Sequence, residues 1–105
     1  MAETLLTDAD NGVTVRVAAG DVVVVRLPEN PTTGYRWQTS VAPGLALGGD
    51  EFATTSSSAP GAPGQRTLRL AARDVGVFHV HAALRRPWES SGAPKAEFSV
   101  TVEVQ

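Results

Sequence analysis

The chain has 105 residues, a formal net charge of −2 and an isoelectric point near 5.6, which suits a single domain over 1–105 with one modest core. No basic stripe is present, which argues against nucleic acid as a partner, and no run approaches the ~18 apolar residues of a membrane span. Cysteine is absent, which removes disulfides, thiol catalysis and zinc–thiolate sites.

The chain opens Met1-Ala2-Glu3-Thr4-Leu5-Leu6, without the basic and apolar regions of a secretory signal, so no signal peptide is expected within it. Asp8-Ala9-Asp10-Asn11-Gly12 reads as a turn. Its Asp-x-Asp spacing superficially resembles a calcium loop, but the twelfth position, where an EF-hand needs glutamate, is Ala19. Val13, Val15 and Val17 alternate with Thr14 and Arg16, as in a half-buried strand. Val22–Leu27 is almost continuously apolar, as in a strand covered on both sides. Tyr35, Trp37, Thr39 and Val41 share one face of the next strand, and Trp37 is expected in the core.

Ala42–Gly49 reads as irregular, followed by a short strand around Asp50–Thr55. Thr54–Gln65 is rich in Thr, Ser, Ala, Pro and Gly, the composition of a long loop. Arg66–Ala72 alternates with Leu68 and Leu70 inward. After a turn at Asp74-Val75-Gly76, residues Phe78, Val80, Ala82 and Leu84 form one strand face and His79 and His81 the other. Arg85–Pro94 is a second long loop. Phe98, Val100, Val102 and Val104 alternate in the last strand. No window carries a helical period. Seven to eight short strands with frequent turn signals predict an all-β, immunoglobulin-like sandwich.

A search for catalytic chemistry finds little. His79-x-His81 has a metal-site spacing, but a third ligand would have to be a carboxylate such as Glu97 or Glu103; two solvent-facing histidines are the expected reading, and no metal or other cofactor is expected. No Gly-x-Ser-x-Gly elbow occurs, Gly61–Thr67 lacks the phosphate-loop spacing, and no carboxylate pair suggests a glycosidase. The chain is not expected to be an enzyme.

Three loops hold the information instead. Asn30-Pro31-Thr32-Thr33-Gly34-Tyr35 lies between two apolar runs. Pro31 fixes its own φ and biases Asn30 to extended geometry, Gly34 permits a left-handed residue, and branching stiffens Thr32 and Thr33. Gly61-Ala62-Pro63-Gly64 interrupts the mid-chain loop. Arg86-Pro87-Trp88 puts a tryptophan outside any alternating pattern, next to an arginine, and these are the residue types that dominate interface hot spots. The loops at 30–34, 56–65 and 85–94 are alternate connections, so in up-and-down strand order they fall at the same end.

Asn-Pro-Thr-Thr-Gly-aromatic, a glycine-containing loop and Arg-Pro-Trp, in this order and spacing, resemble the chagasin family, protein inhibitors of papain-like cysteine peptidases. The resemblance implies a monomeric, reversible, competitive inhibitor whose three loops form a wedge. Thr32 and Thr33 would cover the catalytic Cys/His pair, Gly61–Gly64 would lie along the non-primed side, and Trp88 would stack on the primed side. Ala62-Pro63 makes the middle loop stiffer than the family's glycine-rich one, and Glu89 adds a negative charge after Arg-Pro-Trp. The alternative is an immunoglobulin-like module that binds carbohydrate or a protein surface.

Overall fold

A computed structural model describes residues 2–29, 34–54, 64–86, 88 and 94–105. Eight strands fill this part of the chain: β1 (Glu3–Thr7), β2 (Thr14–Val17), β3 (Val22–Glu29), β4 (Arg36–Val41), β5 (Leu45–Thr54), β6 (Gly64–Ala72), β7 (Gly76–Arg85) and β8 (Ala96–Val104). They form two four-stranded sheets, ordered β1-β3-β6-β5 and β2-β8-β7-β4.

Alternation decides which side chains meet between the sheets. Val23, Val25, Leu27, Leu68 and Leu70 come from the first sheet, and Trp37, Val80, Ala82, Phe98, Val100 and Val102 from the second. All belong to one buried cluster, so the predicted sandwich is the observed one. Trp37 is 8% exposed, and its indole N–H donates to the Pro28 carbonyl at 2.8 Å. A buried tryptophan needs such a partner for its one polar atom. Val24, on the other face of β3, is also buried, as the continuous valine run requires.

Several expectations need correction. Strand β1 was not foreseen; Leu6 is its one buried residue, and a single apolar anchor gives no readable period. It runs parallel to β3, and β2 runs parallel to β8. Residues 45–49 are not irregular: β5 begins at Leu45 and runs to Thr54, with a register shift between Leu47 and Gly49. The two glycines mark a bulge, which breaks the period-two pattern that a strand is recognised by. Gly64 is not a loop residue but the buried first residue of β6; a Cβ there would run into the Phe52 ring. At Asp8–Asp10 the turn is a short 3-10 helix closed by a capping box with Thr7, the Asp10 carboxylate accepting from the Thr7 N–H at 2.9 Å.

The chain is not a simple up-and-down meander, since β3 to β4, β4 to β5 and β6 to β7 each cross between sheets. Direction still alternates along these strands, and direction alone decides where a connection emerges. Glu29, Gly64 and Thr54 stand in one row across the first sheet. Arg36 pairs with Arg85, and Leu84 with Ala96, at the matching end of the second. The connections after β3, β5 and β7 therefore leave from the same end.

Candidate functional site

The inward rows of β3 and β6 do not stay apolar to their ends. Val23, Val25 and Leu27 are followed at the same parity by Glu29, and Leu68 and Leu70 are preceded by Arg66. Glu29 is 4% exposed, the one buried charged residue among those described. Its Oε2 accepts from Arg66 Nη2 at 2.6 Å, and Oε1 accepts from Arg66 Nε at 3.2 Å. The same Oε1 accepts from the backbone N–H of Trp37 at 2.9 Å. Arg66 Nη1 also donates to Asp50 at 2.8 Å, and the guanidinium lies 5.6 Å from the Phe52 ring centre. The hydrogen-bonded Glu29 carboxylate, with Asp50 behind it, raises the Arg66 pKa above its ordinary value, against the pull of burial. Arg66 is therefore a permanent cation here.

Above this ion pair is an aromatic layer. Gly34 has φ +80°, and a Cβ at Gly34 would lie 2.9 Å from Trp88 Cη2, so the indole rests on the glycine. Trp88 is 71% exposed. The Arg86 guanidinium carbon lies 4.6 Å from the Tyr35 ring centre and 5.9 Å from that of Trp88. Lys95 Nζ stands 4.8 Å from the Tyr35 ring centre. Cations at these distances are held by the ring quadrupole, by about 0.5–1 kcal/mol each at exposed sites. A cavity of about 430 Å³ opens between Glu29, Gly34, Tyr35, Arg36, Phe52, Arg66 and Trp88.

The sequence-predicted site residues divide cleanly. Gly34, Tyr35, Arg86 and Trp88 are brought together at one end of the sandwich. Asn30, Pro31, Thr32, Thr33, Gly61, Ala62, Pro63 and Pro87 lie outside the described residues. Gly64 is at the same end, but in a strand. Sequence reasoning missed Glu29, Asp50, Phe52, Arg66 and Lys95. A signal for two of them existed: continuing the inward period of β3 and β6 by one step lands on a carboxylate and a guanidinium at adjacent strand ends.

The histidines stand elsewhere, on the exposed outer face of β7. His79 Nδ1 lies 3.2 Å from Thr101 Oγ1, and His81 Nε2 lies 3.9 Å from the Glu97 carboxylate. Glu103 is engaged by Arg16 at 2.9 Å. Among the described residues, no three His, Asp or Glu side chains gather in a way that would hold a metal ion.

A family model described as the chagasin family of peptidase inhibitors, I42, matches residues 16–102. The chain is 31% identical over 101 residues to Chagasin of Trypanosoma cruzi, covering 90% of this chain and 92% of that one. It is 30% identical over 103 residues to Amoebiasin-1 of Entamoeba histolytica, covering 95% and 98%. Among solved structures, the cysteine protease inhibitor EhICP2 from Entamoeba histolytica superposes with a TM-score of 0.92 at 24% identity, covering 99% and 96%. That likeness speaks to the fold.

Proposed function

The chain belongs to the chagasin family of peptidase inhibitors, and we propose that it inhibits papain-like cysteine peptidases reversibly and competitively, by setting three adjacent loops into the substrate cleft. It is an inhibitor and not an enzyme. The observation that carries the proposal is the convergence of Gly34, Tyr35, Arg86 and Trp88 on one end of the sandwich, where the connections after β3, β5 and β7 emerge.

In this reading the segment from Asn30 to Tyr35 is the central blade. Thr32 and Thr33 cover the catalytic Cys/His pair without forming a bond to it. The segment from Gly61 to Gly64 lies along the non-primed side. Arg86, Pro87 and Trp88 take the primed side, with the exposed indole stacked on aromatic residues of the peptidase. One monomeric inhibitor chain closes one cleft, and no cofactor takes part.

Rigidity favours inhibition over cleavage. A scissile segment must be drawn out straight, which the ring-fixed φ of a proline before Thr32-Thr33 and the left-handed Gly34 after them both oppose. The test is competition on active-site-titrated papain. The chain should displace a reversible active-site ligand, raise the apparent KM without changing kcat, and be recovered uncut. Inhibition that leaves the active-site ligand in place would overturn the cleft reading.

A further inference from the structure

Resting on that reading, we infer that Glu29 and Arg66 are positioning residues that fix the first and second loops to each other, so that the wedge reaches the peptidase already assembled. The ion network touches four strands, three of them at or near an end. Glu29 ends β3 and holds the Trp37 N–H near the start of β4, so both flanks of the 30–35 segment are tied to one carboxylate. Arg66 stands near the start of β6, two residues from Gly64, and reaches Asp50 on β5. Asp50 lies four residues before the end of β5, and the Phe52 ring, 5.6 Å from the guanidinium carbon, lies nearer to that end, so the two strands that flank the 55–63 segment meet at one guanidinium. The bidentate Glu29–Arg66 contact joins the two halves.

Stability alone does not explain this arrangement. Among the described residues every other buried large side chain of the core is apolar, and extending that pattern would close the end without desolvating charges. Replacing a buried ion pair with well-packed apolar groups is often neutral or stabilising. What charges add is direction. Carboxylate and guanidinium meet in a planar fork with two parallel bonds, which specifies orientation where an apolar contact specifies only proximity. The pair is also rooted directly under the loops: Glu29 is the residue before Asn30. A wedge ordered before contact avoids the ordering cost of about 0.5–1.5 kcal/mol per immobilised side chain on binding.

The experiment compares the parent chain with Glu29→Gln, Arg66→Met and Arg66→Lys against papain, at a temperature where circular dichroism shows each to be folded. Arg66→Lys keeps the charge and the packed stem but not the fork, and serves as the reading if either other variant fails to fold. The expected result is an inhibition constant raised by about tenfold or more in every folded variant, carried mainly by faster dissociation. Papain should also begin to cut between residues 30 and 34, where the parent stays intact. A merely structural pair would lower the melting temperature yet leave the folded molecules equally inhibitory and uncut. Folded variants that inhibit within about threefold of the parent and resist cleavage overturn the inference. A parent chain that does not inhibit papain overturns the proposed function instead, so the two failures are distinguishable.

Discussion

Gly34→Ala should damage inhibition at least as much as folding. Gly34 has φ +80°, and an alanine held there costs about 1–2 kcal/mol. In a domain of this size that lowers the melting temperature by roughly 4–8 °C for each kcal/mol. The new methyl would stand 2.9 Å from Trp88 Cη2, so the indole must move. Because Trp88 is exposed and the atom approached is the far end of its ring, the movement adds little to the folding cost. Its effect on binding is larger, since displacing a hot-spot aromatic costs about 2 kcal/mol, roughly thirtyfold in dissociation constant.

The assay is a thermal melt beside an inhibition constant for Gly34→Ala, Trp88→Ala and the double variant. If the glycine acts through the indole, the double variant inhibits no worse than Trp88→Ala alone, within about 0.5 kcal/mol. Fully additive losses, or unchanged inhibition by Gly34→Ala, would refute the claim that Trp88 is seated on Gly34 for binding.

The two tryptophans should fail differently. Trp88→Ala should fold normally and inhibit roughly thirtyfold less well, whereas Trp37→Ala should lose about 3–5 kcal/mol of stability, most of the margin of a small domain, as read by denaturant titration. At the opposite end, backbone N–H donors of Ala2 and Ala18 hold the Asp21 carboxyl below its ordinary pKa of 3.8. A depressed folded pKa stabilises above the unfolded value and loses that contribution as pH falls through the folded one. Asp21→Asn should therefore flatten the acid limb of the stability curve below about pH 4 and leave inhibition at neutral pH unchanged.

Much of the sandwich was legible because its strands are half-buried and keep strict alternation. Phe98 to Val104 and Phe78 to Leu84 needed nothing beyond period two. The signal failed where the local pattern was interrupted or too short. In β5, Gly48 and Gly49 sit at a bulge and shift the register, so a ten-residue strand read as an irregular stretch with a short strand after it. In β1, Leu6 alone is buried and the stabilisation comes from pairing with β3, which no local window contains. Site residues divide by the same logic. Gly34, Tyr35, Arg86 and Trp88 stood out because their types are odd for loops that merely connect. Glu29 and Arg66 did not, because each is an ordinary surface residue until a partner from another strand makes it half of a partly buried ion pair. Phe52 and Lys95 likewise acquire meaning only from Arg66 and Tyr35 beside them.

The central claim, a wedge shaped for one class of cleft, is tested most directly by titrating the chain against active-site-counted papain and trypsin in parallel. The account predicts that papain activity falls to zero in proportion to inhibitor, recovers on dilution, and that trypsin is untouched. Equal inhibition of both would contradict the shape argument, and inhibition of neither would return the chain to the class of binding modules.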